Sequence, residues 1–217
     1  MRLARRGRIL AAVMNRIGVW GAMLVLAASM AACGDKEAPD TTAPQGFTVV
    51  RDADDGFAIA VPQVWTQVPM GVEGEVFDRN ANRLRGENPK LASALVQARA
   101  VSGGGGKLLA IDPEGRASMN LTVAKAKEKN LAEIVQKSTT KLTEVGAVNL
   151  TQTPVTVAGE PAIKVTFTLP VDTDNGKITV RETQYYQVRG EKKAFILTVI
   201  DTDDALAGLI ADSLRVR

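Results

Sequence analysis

Apolar and polar residues alternate along most of the chain after residue 47, which is typical of half-buried β-strands. The clearest case is Pro161–Leu169, where apolar side chains alternate with Lys and Thr, so that one face contacts water. Ala194–Ile200 is apolar on both faces and is therefore predicted to be a central strand. Further strands are predicted at Phe47–Arg51, Phe57–Val61, Lys107–Asp112, Ser118–Ala124, Ala147–Thr153 and Ile178–Val188.

Three segments carry helix signals. Asn130 with Glu133 three residues later resembles a capping box, and apolar residues follow at helical spacing until Gly146. Asn88-Pro89 is typical of another helix start, because Asn caps a helix and Pro suits its first position. The last helix is predicted over about Asp203–Leu214, with one apolar side.

Short turns separate several of the predicted strands. Asp52–Gly56 follows the first strand, and Asp172–Gly176 ends in Asn-Gly, which favours a tight hairpin. Strands joined so closely pair antiparallel. The predicted fold class is therefore α+β, an α/β/α sandwich around a largely antiparallel sheet.

The first 32 residues have a different character. Arginines precede an apolar run at Ile17–Met30, which is shorter than the roughly 20 residues that span a bilayer. Ala31-Ala32 then precedes Cys33, the only cysteine. This is the pattern of a secretory signal peptide that ends in a lipobox, so we expect cleavage before Cys33 and lipidation of its thiol. The alternative is that Cys33 is a spare small residue of the apolar run.

These features predict three regions. Residues 1–32 form a signal peptide, for which Met14 is an alternative start, and residues 33–46 form a lipidated cysteine with a polar, Pro-containing flexible tether. Residues 47–217 form a single domain. Sugar on Thr41 or Thr42 of the tether is left open. The lipid would hold the domain at the cell membrane, on its extracytoplasmic face.

Removal of the signal peptide reverses the net charge. The full chain has 27 basic and 24 acidic residues, a net charge of +3, but five of the arginines and none of the acids lie in residues 1–33. The remainder has 22 basic against 24 acidic residues, a net charge of −2. A nucleic-acid-binding domain would need a basic surplus, so we predict no nucleic-acid partner.

Several kinds of catalytic and metal site are excluded by composition or spacing. The chain has no histidine, which removes Ser-His-Asp and Cys-His nucleophiles and His-bearing zinc sites. The acidic turns at Asp52–Gly56 and Asp172–Gly176 place Gly one position too early for a calcium-binding EF-hand loop. Ser102–Lys107 lacks the first Gly and the final Ser or Thr of a phosphate-binding loop. We therefore predict no catalytic residue, no metal and no cofactor.

Two polar positions interrupt a predicted strand face. Glu182 and Gln184 share a face with Ile178, Val180 and Tyr186. Buried polar residues cost free energy unless they find partners, so the pattern favours a bulge or an exposed strand end, with a polar patch in a groove as the alternative. Lysines also alternate at 125–129, which favours a solvated loop, the alternative being contact with lipid headgroups.

Short motifs spread over residues 47–217 resemble a known family. Four motifs resemble, in their order, those of the PsbP-like and Mog-type domains, which include actinobacterial lipoproteins of the LpqN and LpqT type. The motifs are Asp55–Pro62 followed by Trp65, Val157–Ala162, Tyr185-Tyr186 and Ser213–Val216. The resemblance implies an α/β/α sandwich around an antiparallel sheet. It also implies binding or assembly functions rather than catalysis. The chain departs from the family at residues 71–106, where it has a longer, Gly-rich, helical insert.

Two functional hypotheses follow. The first is a non-enzymatic, lipid-anchored envelope protein that binds a protein partner or assists assembly at the membrane surface. The second is a carrier of an apolar or lipid ligand, with the insert at 71–106 lying over a cavity beside the sheet.

Overall fold

The computed structural model of the chain describes residues 37–70, 78, 79, 82, 86, 105–126, 130–173, 176–190 and 193–217. The predicted signal peptide at 1–32, Cys33 and the helix start at Asn88-Pro89 lie outside these residues. So does most of the predicted insert at 71–106.

Seven strands form one antiparallel sheet in the order β3-β4-β5-β9-β8-β7-β6. The predicted central strand is confirmed, because β9 pairs with β5 on one side and β8 on the other. The strands are β3 (Thr66–Pro69), β4 (Gly106–Ile111), β5 (Ser118–Lys125), β6 (Val148–Val157), β7 (Glu160–Thr173), β8 (Gly176–Arg189) and β9 (Lys193–Ile200).

A second, three-stranded sheet has the order β1-β2-β10, with β1 at Phe47–Asp52, β2 at Phe57–Pro62 and β10 at Arg215–Val216. The predicted opening hairpin is confirmed, since β1 pairs antiparallel with β2 along its whole length. The third strand comes from the C-terminus, where Arg215 lies opposite Ala58.

The helix α1 (Leu131–Glu144) begins where the sequence predicts. The Asn130 side chain accepts a hydrogen bond from the Ala132 backbone N–H, which satisfies one free donor of the first turn. Val135 of α1 packs in a cluster with Val165, Phe167 and Tyr186 of the sheet.

The helix α2 (Asp204–Asp212) packs on the opposite face of the large sheet. Its buried residues Ala207, Ile210 and Ala211 cluster with strands of both sheets, including Tyr185. Because adjacent strand residues point to opposite faces, Tyr185 belongs to the α2 core and Tyr186 to the α1 core. The inner residues of β2 complete the α2 core.

The structure is therefore α+β with antiparallel sheets, as predicted. Two short strands, β3 and β10, were not predicted, and β10 adds a third strand to the hairpin of β1 and β2. No helix in the described ranges combines the length and the apolar character needed to cross a membrane.

Candidate functional site

The segment that follows the predicted lipidation position lies against the domain. Pro39 and Thr41 are both buried, and the Thr41 hydroxyl donates to the Ser213 carbonyl, 2.9 Å away at the end of α2. We call residues 39–44 the strap. The strap is tied at its other end as well, because the Phe47 backbone N–H donates to the Pro44 carbonyl at 3.1 Å.

The strap meets the small sheet through Arg51 of β1. The Arg51 guanidinium approaches the Asp40 carboxylate and the Thr41 carbonyl, each at 3.4 Å. Ala58 and Ala60 of β2 point away from the core formed by Phe57 and its neighbours, yet both are fully buried. Strand β2 is therefore covered on both faces, whereas Thr48 and Arg51 of β1 are exposed.

Ser213 joins the strap to β2. Its hydroxyl accepts a hydrogen bond from the Ala60 backbone N–H at 2.8 Å and donates to the Ile210 carbonyl at 2.7 Å. Its carbonyl is the acceptor for Thr41. One residue thus connects the strap, the small sheet and α2.

These contacts differ from the expectation of a tether that is flexible up to residue 46. The reason is that Thr41 and the backbone of the strap find hydrogen-bond partners on the domain, and contacts group residues 36–217 into one compact unit. The Thr41 hydroxyl is buried and donates to a carbonyl, so in the folded chain it is not available to a sugar, whereas Thr42 is exposed.

The interpretation of Glu182 and Gln184 as a bulge or exposed strand end is wrong. Strand β8 pairs on one side with β7 and, from Glu182 onward, on the other side with β9, and neither register contains a shift. Gln184 is buried. The alternative of a polar patch is the one that fits, since both residues lie on an interior strand, on the face that carries α1.

Gln184, Tyr186 and Ser138 form a hydrogen-bonded chain. The Tyr186 hydroxyl donates to the Gln184 side-chain oxygen, and the Ser138 hydroxyl of α1 lies 2.6 Å from the same tyrosine oxygen. Burial raises the pKa of Tyr186 to about 12, so the phenol stays protonated and keeps this donor. The sequence identified Gln184 and Tyr186, and helical spacing also predicted that Ser138, the partner of Tyr186, shares a face of α1 with Leu131, Ile134, Val135 and Leu142.

Glu182 lies next to this chain on the same face, and no hydrogen bond from the described residues reaches its carboxyl group. Desolvation, together with the nearby Asp201 carboxylate, raises the pKa of Glu182 from 4.5 to about 7. Across the sheet, Gln184 lies opposite Thr198, which lies opposite Asn120. A polar row therefore crosses the middle of the sheet beside the apolar α1 core.

The acidic residues of the Asp52–Gly56 turn have hydrogen-bond and ion-pair partners within the domain. At Asp52–Gly56, the Asp52 carboxylate accepts the Asp55 backbone N–H at 2.8 Å, as in an ordinary turn. The Asp55 carboxylate pairs with Lys107 at 2.8 Å, and Lys193 donates to the Asp55 carbonyl at 2.9 Å. Within the described ranges, no group of three His, Cys, Asp or Glu side chains is placed to hold a metal ion.

The other predicted features are partly described. Thr173 pairs with Gly176, so the tight hairpin predicted at Asp172–Gly176 is confirmed. Residues 127–129 of the lysine run lie outside the described residues, as do residues 102–104 of the segment that was compared with a phosphate-binding loop. Cys33, the predicted lipidation residue, also lies outside them.

Comparison with known proteins gives a limited answer. No protein-family model and no curated protein matches the chain. A solved structure from Bacteroides thetaiotaomicron is similar at 10% identity and a TM-score of 0.42, over 74% of this chain and 45% of that one. The chain thus spans under half the length of that protein. LpqN, involved in cell envelope biogenesis of Mycobacterium tuberculosis, is similar at 11% identity and a TM-score of 0.44, over 82% of this chain and 89% of that one.

Proposed function

We propose that the chain is a lipid-anchored lipoprotein of the cell envelope that binds a protein partner or assists assembly at the membrane surface, without catalysis. Cys33 would carry the lipid, on the extracytoplasmic face of the cell membrane. The observation that carries the proposal is the strap, which begins six residues after Cys33 and is hydrogen-bonded to the domain.

The strap shortens the length of free chain between the lipid-bearing Cys33 and the domain. Pro39 lies six residues after Cys33. A fully extended chain spans at most about 3.3–3.6 Å per residue, so Pro39 would lie within roughly 20 Å of the lipid-bearing residue. A tether free up to residue 46 would allow more than twice that reach. The domain would thus be held close to the bilayer surface, where a binding or assembly role makes use of position.

Composition supports a role without catalysis. The chain has no histidine, and lipidation would occupy its only thiol. Glu182 is the described acid whose pKa is raised to about 7, but the nearest hydroxyl on the same face of its strand, that of Tyr186, is held by Gln184 and Ser138. We further propose that the fold is the PsbP-like α/β/α sandwich, since α1 and α2 pack on opposite faces of the large sheet.

Replacement of Cys33 with Ser tests the anchor and the partner together. We expect the wild-type chain to fractionate with membranes and the Cys33→Ser chain to be released, because the acyl chains supply the membrane affinity. Crosslinking of intact envelopes before pull-down should recover a partner with the wild type and much less of it with the released variant. Flotation of the Cys33→Ser chain with membranes would contradict the anchor, and recovery of no partner above an unrelated lipoprotein would contradict the binding role.

A second candidate function is a carrier of an apolar or lipid ligand. The observation that favours it is the polar row on the α1 face, where Glu182 and Gln184 lie opposite the apolar residues Phe167 and Val165 of β7. Ligand sites combine a largely apolar lining with a few polar groups that orient the ligand.

Native mass spectrometry distinguishes the two functions. A carrier extracted gently from membranes should retain a bound molecule, and Gln184→Leu should reduce its occupancy because the polar contact is removed. The Thr166→Val variant, on the opposite face of the neighbouring strand β7, is the matched control and should leave occupancy unchanged. Wild-type protein with no adduct would contradict the carrier function.

A further inference from the structure

The hairpin of β7 and β8 extends beyond the rest of the large sheet. Pairing of β7 with β6 ends at Thr168, and Asp201 is the last residue that bonds to β8 from the β9 side. Beyond these points Leu169–Thr173 pairs with Gly176–Val180 and, among the described residues, with no other strand. We call these two segments the arm.

One edge of the arm carries backbone groups that pair with no strand among the described residues. The Arg181 N–H donates to the Asp201 side chain at 3.0 Å, and the Arg181 carbonyl accepts the Asp201 N–H at 2.9 Å. Both groups of Arg181 therefore point away from β7. Because the direction alternates along a strand, the N–H and C=O groups of Thr179 and Lys177 point the same way, where no described strand lies. Such an edge is a template for another strand.

Strand β9 ends before it reaches this edge. Asp201 follows the last residue of β9 and has a φ of 48°, a left-handed conformation that is uncommon for residues other than glycine. Two residues later Asp203 caps α2 on the other face of the sheet. Beside Gly176–Val180, the line that β9 would have followed therefore holds no strand of the described part of the chain.

Ile178 stands at the middle of the open edge. It is 50% exposed, one of the few large apolar side chains exposed to this degree. Its own backbone groups point toward β7, so a strand added at the edge would meet Ile178 at a non-hydrogen-bonded position, where side chains of paired strands come closest.

We propose that this edge pairs antiparallel with the same edge of a second copy of the chain, centred on Ile178. This register places Lys177 opposite Thr179 of the second copy and Thr179 opposite its Lys177. All outward backbone groups of the two residues are then used, which gives four hydrogen bonds. A register centred on Thr179 would use only half of them, because the groups of Arg181 are already bonded to Asp201.

The central contact explains why an isoleucine is exposed there. Ile178 would lie against its own copy across the two-fold axis, and apolar β-branched pairs stabilise adjacent strands. A ladder this short binds weakly in solution. Confinement of both copies to a surface raises their effective concentration without adding a contact. That last step rests on the proposed lipid anchor, whereas the pairing itself does not.

A cysteine at position 178 tests the pairing independently of the anchor. In a secreted Cys33→Ser chain, Ile178→Cys leaves one thiol, and non-hydrogen-bonded pairs have Cα atoms about 4.5 Å apart, within the range of a disulfide. Oxidation with copper phenanthroline should give a covalent dimer whose yield rises with protein concentration. The matched control is Leu209→Cys on α2, where the native residue is 49% exposed against 50% for Ile178. Yields that are equal at the two positions would overturn the proposal.

Opposite charges at position 178 provide a second test. Ile178→Lys and Ile178→Glu each place like charges against their own copy, so each variant alone should sediment as a monomer at concentrations where the wild type self-associates. Their mixture pairs Lys with Glu and should restore association. Association of either variant alone, or a mixture that stays monomeric, would show that residue 178 does not face itself.

Discussion

Replacement of Glu182 with Gln should stabilise the domain by about 2 to 3 kcal/mol at pH 8 and change its stability little at pH 4. Burial and the Asp201 carboxylate raise the pKa of Glu182 to about 7 in the folded chain, against 4.5 as its ordinary value. The folded chain therefore holds the proton more tightly than the unfolded chain. The stability from this group is fully present below about pH 4.5 and is lost as the pH rises to about 7.

Urea unfolding of both chains across this range measures the effect as a difference in unfolding free energy. Gln keeps the shape of the carboxylic acid and has no proton to lose. The difference in unfolding free energy between the two chains should therefore grow between pH 4.5 and pH 7 and then level off. The control is Asp204→Asn, because Asp204 is exposed and its hydrogen bond with Arg181 lowers its pKa, so its removal should not stabilise at high pH. A pH-independent difference for Glu182→Gln would show that the carboxyl is not desolvated as described.

Replacement of Ser213 with Ala should destabilise the domain by about 1 to 3 kcal/mol, the cost of a buried polar group left without its partner. The Ser213 hydroxyl accepts a hydrogen bond from the Ala60 N–H, two residues before β10 begins and pairs with β2. Loss of the hydroxyl therefore leaves that N–H unpaired in a fully buried position. The Ser213 carbonyl still accepts the hydrogen bond from the Thr41 hydroxyl, so the substitution does not directly remove a contact of the strap.

Hydrogen exchange and urea unfolding measure the two parts of this effect. The Ala60 amide should lose protection in Ser213→Ala, and the free energy of unfolding should fall. Ser138→Ala is the control, because the Tyr186 hydroxyl keeps Gln184 as a partner when the Ser138 hydroxyl is removed. An Ala60 amide that stays as protected as in the wild type would contradict the role given to Ser213.

Local patterns predicted the elements that local forces determine. The cap at Asn130, the hairpin of β1 and β2 and the turn between Thr173 and Gly176 follow from side-chain capping and turn chemistry within a few residues. The central place of β9 followed from its two apolar faces, because a strand covered on both sides excludes water from both.

The features that the sequence did not predict depend on distant partners. The two-residue strand β10 exists only because the chain end reaches β2, and Thr41 is fixed by a carbonyl 172 residues away. Glu182 was interpreted as part of a bulge or an exposed strand end because a polar residue on an apolar face costs free energy. The strand instead stays intact, and desolvation together with the Asp201 carboxylate raises the pKa of the carboxyl.

The neighbouring tyrosines of β8 have a consequence for how the domain loses its structure. Tyr185 fills the core beneath α2 and Tyr186 the core beneath α1, and β7 and β9 likewise supply residues to both. A shift of β8 by one residue would place each ring in the wrong core at once. If either helix left the sheet, it would expose one face of strands whose opposite face packs against the other helix. The two cores therefore form one cooperative unit, and a single melting transition is the natural outcome.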